Sequence, residues 1–258
     1  MKTKAQIDGG KEGREKGLRN EDRFIKLLDG VKPKPGPVES VIPWARHAVN
    51  KVDFILSKEN CSLKTSGRST QIQVCELSKF VQKFKCPQDI TDKLYKFFGA
   101  DFKKKKGVDQ SDEFINKCTN DWGIDAKKLC PKDEIRRNRL LANNIEGFDD
   151  VIQWFKDNVK SVMEFILSTG FCKNEENHAQ YLLWSLEEAD DEKCDADIFL
   201  IKDIVNKSME WDVSVRSSQS VIEIGAFTLQ MKGSGESSAY HSMQFNTSLK
   251  DLSKYMGE

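Results

Sequence analysis

The sequence predicts an α/β chain, and three observations predict it. A short stretch of alternating pattern at residues 51–65 reads as a β-hairpin, apolar residues at three- and four-residue steps through the middle read as helix, and from residue 196 onward the pattern returns to extended segments. At 258 residues the chain is long enough to bury a sizeable core. It shows no internal repeat, low-complexity tract or long Pro/Ser linker, so one domain over residues 1–258 is expected. Its parts would be an N-terminal core at about 1–100, a helical middle at about 110–190 and a β-rich part at about 196–258.

Residues 12–30 read as a helix, because Leu18, Ile25 and Leu28 share one face and Gly30 can end it. Glu21 falls on that same apolar stripe, and a carboxylate on a buried face needs a partner or a metal. Residues 51–57 read as a strand, Lys58, Glu59 and Asn60 as a turn, and 61–65 as the returning strand. Residues 77–84 and 90–98 are expected to be helical. So is much of 132–168, where Phe148, Ile152, Phe155, Val159, Val162 and Ile166 repeat at helical spacing. Residues 197–201 and 211–215 look extended, 221–232 is β-rich up to the turn Gly233, Ser234 and Gly235, and 242–246 reads as a last short strand.

Composition excludes several classes. Charged residues make up 32% and hydrophobic residues 38%, polar but with enough Phe and Trp to pack a globule. The longest apolar runs, 197–201 and 162–167, fall far short of the ~18–20 residues of a membrane span, and the N-terminal segment lacks an apolar signal core, so a cytoplasmic protein with no membrane partner is expected. The seven cysteines (61, 75, 86, 118, 130, 172 and 194) form no CxxC pair, which argues for reduced thiols over a zinc cluster or disulfide framework. His47, His178 and His241 make no HExxH or paired-His motif, no Walker A or GxGxxG is present, and Ser62 with Lys64 lacks the S-x-x-K spacing of a helical Ser/Lys dyad.

Net charge is zero, yet charge is segregated. Residues 51–107 hold 13 Lys/Arg against 6 Asp/Glu, while 141–200 hold 4 Lys against 14 Asp/Glu. One surface facing phosphates would produce this division, as would two solvated faces. Lys103–Lys106 is read as a solvated loop in preference to a phosphate clamp.

The hairpin carries groups suited to metal-dependent phosphodiester hydrolysis, which needs carboxylate to hold a divalent cation and a cation near the attacking water. Asp53 lies on its first strand. Ser62 and Lys64, two apart on the second, share one face while Leu63 points to the other.

Asp53 followed ten residues later by Leu63-Lys64, with Glu21 on a preceding helix, resembles the arrangement of the PD-(D/E)XK nuclease superfamily. GLRNEDRF (17–24) looks like the N-terminal helix of type II restriction endonucleases, and SLKTSGRSTQIQ (62–73) like their catalytic strand running into a base-reading loop. TLQMKGSGESSAYHSMQF (228–245) is similar to the C-terminal stretch of the four-base cutters of the MspI group. The resemblance spans nearly the whole chain. It implies a mixed central β-sheet flanked by helices and Mg²⁺-dependent cleavage of double-stranded DNA at a short palindrome. It also implies a restriction–modification system, with a cognate DNA methyltransferase as genetic partner; a monomer is expected because no heptad or long apolar helix is left over for a dimer seam.

Carried over residue by residue, Asp53 matches the metal-binding aspartate, Lys64 the catalytic lysine and Glu21 the helix glutamate. Ser62 stands where most of the superfamily has Asp or Glu, as neutral residues do in the MspI group. The implied Mg²⁺ ligands are Asp53 and the Leu63 backbone carbonyl, with Glu21 a candidate third. For DNA, Thr65, Ser66, Arg68, Ser69, Thr70, Gln71 and Gln73 form a dense polar set directly after the catalytic strand, with Arg68 the first choice for guanine. Lys232, Gly233 and Ser234 could bring backbone N–H groups to a phosphate or base edge, and Gln244 could reach the same groove. Two other readings stay open: a repair or structure-specific nuclease of the superfamily, and a DNA-binding module that lost its chemistry.

Overall fold

The computed structural model describes residues 19, 22, 23, 25, 26, 51–65, 69–98, 145–172, 174–185, 196–216, 221–231 and 242–257. Its elements in chain order are β1 (Phe54–Leu56), β2 (Glu59–Thr65), β3 (Thr70–Glu76), α1 (Leu77–Lys83), α2 (Gln88–Phe98), α3 (Asp149–Asp157) and α4 (Val159–Glu164). A π-helix (Phe165–Thr169) and a 3₁₀ turn (Glu175–Asn177) follow. Then come β4 (Tyr181–Ser185), β5 (Ala196–Leu200), α5 (Ile201–Ser208), β6 (Val213–Val215), β7 (Val221–Ile224), β8 (Phe227–Met231), β9 (Ser242–Thr247) and α6 (Leu249–Met256). The α/β class is as predicted. Of the expected first helix, residues 19, 22, 23, 25 and 26 are helical.

Strand order is β1-β2-β4-β5 in a four-stranded sheet and β3-β9-β8-β7-β6 in a five-stranded one. The first sheet is mixed: β1 is antiparallel to β2, β2 parallel to β4, and β4 antiparallel to β5. The chain divides into two compact units, residues 1–73, 160–210 and 246–258 in the first and 74–159 and 211–245 in the second. No helix among the described residues is long and apolar enough to cross a membrane.

In the first unit the hairpin differs in register from the expectation. The turn is Ser57-Lys58, with φ of 50° and 77°, and Leu56 pairs with Glu59. Two consecutive left-handed residues give the turn whose twist matches its strands. Glu59 and Asn60 therefore belong to β2, and Asp53 lies one residue before β1, its N–H donating to the Cys61 carbonyl at 2.8 Å. Phe54, Cys61, Leu63 and Leu183 form a buried cluster, with Ile25, Leu56, Tyr181 and Ala196 packed against it. A fully buried side chain of this kind contributes ~1.5–3 kcal/mol. Leu63 points into this cluster, away from Ser62 and Lys64, as the period of two requires.

Asn60, 8% exposed, ties β2 to the chain leading into β4: its side-chain amide donates to the Glu176 and His178 carbonyls. The His178 ring nitrogen Nε2 lies 3.4 Å from the Cys172 carbonyl. Cys61, Cys75, Cys86 and Cys172 are thiols rather than half-cystines. Burial pushes the Cys61 thiol up to about 11 and the Cys86 thiol up to about 12, which keeps both protonated and unreactive at neutral pH.

The second unit is built around aromatic rings. Phe80 meets Phe84, Trp154, Phe155 and Phe245 at centroid distances of 4.7–6.1 Å, and Phe97 stacks on Phe148 at 4.5 Å. The helical reading of 132–168 holds from Asp149 but breaks at Asn158, and the last turn widens into the π-helix; 132–144 lie outside the described residues. β7 and β8 form a hairpin whose two-residue turn is Gly225-Ala226. A Cβ on Gly225, at φ +53°, would sit 2.5 Å from Trp211 Cδ2. Gly225→Ala is therefore expected to destabilise the chain by about 2–5 kcal/mol, read by urea denaturation, since overpacking and left-handed strain add. An unchanged midpoint would show that the indole yields freely.

Candidate active site

Asp53, Ser62, Leu63 and Lys64 are brought together by the β1–β2 hairpin, all within the first unit. Every hydrogen bond and ion pair that the described residues give the Asp53 carboxylate falls on Oδ2. It accepts from the Leu63 N–H at 2.6 Å and from Ser62 Oγ at 3.1 Å, and Lys64 Nζ lies 3.8 Å away. The backbone of β2 thus fixes the carboxylate by one oxygen, and Oδ1 has no hydrogen-bond or ion-pair partner among the described residues. Asp53 is 34% exposed and Lys64 18% by side chain, so the pair is reachable from solvent without being freely hydrated.

Ser62, only 5% exposed, lies between the two charges. Its hydroxyl donates to Asp53 and accepts from Lys64 Nζ at 3.2 Å. Lys64 Nζ also donates to the Leu63 carbonyl at 3.0 Å. The carbonyl expected to serve a cation therefore already holds an ammonium group, and a cation using it requires Lys64 to swing aside.

Among the described residues, no group of three or more His, Cys, Asp or Glu is placed to hold a metal ion. The oxygens that do converge are Asp53 Oδ2, the Ser62 hydroxyl and the Leu63 carbonyl, all hard donors, gathered around Lys64 Nζ at 3.0–3.8 Å. They suit Mg²⁺, which commonly takes one or two carboxylates and completes its shell with water and substrate phosphate. Glu21 lies outside the described residues.

For a metal-dependent nuclease, Ser62→Ala is expected to lower activity roughly 10–100-fold, the range for groups that orient a metal ligand. Asp53 would keep its Leu63 N–H and Lys64 its carbonyl. A loss equal to that of an Asp53 substitution, measured in the same cleavage assay, would make Ser62 a direct ligand.

The base-reading candidates are distributed differently from the expectation of a loop. Thr65 ends β2, and Thr70, Gln71 and Gln73 belong to β3, with Ser69 just before it. Gln71 and Ser69 are exposed, and Thr65, Thr70 and Gln73 half-buried. Gln71 and Gln73, two apart on a strand, share a face. Gln244 is half-buried on β9 in the second unit. Ser66, Arg68, Lys232, Gly233, Ser234 and the Lys103–Lys106 run lie outside the described residues, as do His47 and His241.

Sequence reasoning passed over Lys51, whose ammonium reaches two distant carbonyls, and Asn60, because neither sits in a recognisable motif. No protein-family model matches the sequence, and no curated protein matches it. Among solved structures the chain is similar to restriction endonuclease MspI in complex with its cognate DNA, at 12% identity and a TM-score of 0.41. The alignment covers 89% of this chain and 77% of that one.

Proposed function

We propose that this chain is a type II site-specific deoxyribonuclease of the PD-(D/E)XK superfamily, hydrolysing phosphodiester bonds in double-stranded DNA with Mg²⁺. The observation that carries the reading is the trio of Asp53, Ser62 and Lys64 at the start of one hairpin, with one carboxylate oxygen locked by the backbone and the other without a partner among the described residues. The sequence resemblance to the MspI group supports it, and the further resemblance of the same stretches to the HhaI restriction endonuclease supports GCGC as the palindrome.

In this reading Asp53 would hold the cation, and Ser62 keeps the carboxylate and the lysine in register. Lys64, released from the Leu63 carbonyl when DNA binds, orients or deprotonates the attacking water. The bound cation would offset the charge that develops on the scissile phosphate. Glu21 is proposed as a further ligand. Base edges would be read from Thr65, Ser66, Arg68, Ser69, Thr70, Gln71 and Gln73, and from Lys232, Gly233, Ser234 and Gln244. The protein would act in the cytoplasm as a monomer, with a cognate methyltransferase encoded alongside it.

The test is incubation with plasmid DNA in Mg²⁺ and, in parallel, in EDTA. Discrete bands in Mg²⁺ alone support a restriction enzyme. A smear assigns a nuclease without sequence preference, and intact plasmid with a mobility shift assigns a binding module; either would overturn the reading.

A further inference from the structure

Lys51 lies outside the trio yet two residues from Asp53. Its ammonium donates to the Ile166 carbonyl at 2.6 Å and to the Ile72 carbonyl at 3.0 Å. Ile166 belongs to the π-helix and Ile72 to β3, between Gln71 and Gln73. The lysine stem runs over Gly170, where a Cβ would sit 3.4 Å from Lys51 Cγ and Cε and 3.7 Å from Gln73 Oε1. Gly170 itself closes the π-helix, its N–H donating to the Phe165 carbonyl at 2.8 Å. One ammonium group therefore joins three pieces of chain: the lead-in to Asp53, the strand bearing two glutamines, and a wide helical turn.

The lead-in has no ladder of its own, since β1 begins only at Phe54. It is fixed by the Asp53 N–H on Cys61 at one end and by Lys51 at the other, with Val52 buried between them. A shift of β3 at Ile72 is thus passed through a half-buried, charge-assisted hydrogen bond to the backbone that aims Asp53. A π-helix, a geometry frequent at functional sites, supplies the second anchor.

We propose that Lys51 is a positioning residue that couples base reading along β3 to the placement of Asp53, so that the carboxylate is correctly set only when β3 sits correctly on DNA. This rests on the nuclease reading above.

The experiment uses the full chain as wild type, Lys51→Met and Lys51→Arg. Plasmid digestion first fixes the sequence that is cut. Single-turnover cleavage in saturating Mg²⁺ is then measured on a duplex carrying that sequence and on one with a single base pair exchanged, below the melting temperature of each variant. Binding of both duplexes is measured in Ca²⁺. Lys51→Met is expected to slow cleavage of the correct duplex at least tenfold, to narrow the ratio between the two duplexes at least tenfold, and to leave binding within threefold. Lys51→Arg, whose guanidinium can still bridge two carbonyls, should recover most of that ratio.

A purely structural role would lower the melting temperature and leave the ratio unchanged, and that result overturns the proposal. If Lys51→Met does not fold, Lys51→Gln is read by the same ratio. Failure of the wild type to cut plasmid at all removes the nuclease reading and this one together, whereas a cutting wild type with an unaltered Lys51→Met ratio removes only this one.

Discussion

Asp53→Asn is expected to abolish DNA cleavage, with a loss of at least ~10³-fold, the scale for groups acting on charge that develops in the transition state. The nearly isosteric amide is the informative choice. Asp53 Oδ2 accepts from the Leu63 N–H at 2.6 Å, and an asparagine oxygen can keep that bond, so the hairpin is retained. What disappears is the carboxylate of the Asp53–Ser62–Lys64 trio. With no second acid at Ser62, loss of the charge leaves the described part of the site only a carbonyl and a hydroxyl to offer a cation. Alanine would also leave the buried Leu63 N–H without its partner, which confounds catalysis with folding. The measurements are single-turnover cleavage in Mg²⁺, mobility shift on the same duplex in EDTA, and thermal unfolding. Binding in EDTA should stay within a few-fold and the melting temperature within a few degrees. Retention of more than a tenth of wild-type activity would show that Asp53 is not the cation's carboxylate.

The Asp53–Ser62–Lys64 trio was legible because it depends on local rules. Residues two apart on a strand share a face, and a hairpin brings its first strand against its second. The register of that hairpin was not legible. Ser57 and Lys58 take left-handed backbone without the Gly or Asn that would announce it, so the polar run of Lys58, Glu59 and Asn60 looked like the turn.

β4 was missed for another reason. Leu182, Leu183, Trp184 and Ser185 are all buried, so the strand lacks the alternation that marks a half-exposed one. Its parallel pairing with β2, Lys64 beside Trp184, spans a sequence separation that no local pattern encodes. α5 was hidden because the apolar run through Ile201 reads as one extended segment, although the chain turns helical at that residue. α6, by contrast, carried a readable signal. Ser248 caps it, its hydroxyl accepting from the Asp251 N–H, and S-x-x-D ahead of an apolar residue is a capping pattern. Lys51 left no trace in the sequence at all, since its role is set by two carbonyls from remote segments.

Lys64→Met should separate two effects that are combined in the wild type. Cleavage should fall by at least ~10³-fold, because a methionine of similar length can neither orient nor deprotonate water. Binding of a divalent ion to the DNA-free protein should tighten. In the wild type the ammonium sits 3.0 Å from the Leu63 carbonyl and 3.8 Å from Asp53 Oδ2, so it offsets the Asp53 charge and occupies a carbonyl oxygen that a cation would use. Two unit charges about 4 Å apart interact by ~1–4 kcal/mol between bulk water and a protein surface, so removing the competitor should strengthen ion binding about fivefold or more. Mn²⁺ titration of DNA-free wild type and variant, followed by electron paramagnetic resonance, reads this directly. Adding DNA should narrow the difference, since substrate phosphates complete the shell in both proteins. If Lys64→Met binds Mn²⁺ no more tightly than wild type, the lysine is not holding the cation's place. If it keeps more than a tenth of the cleavage rate, the lysine is not part of the reaction.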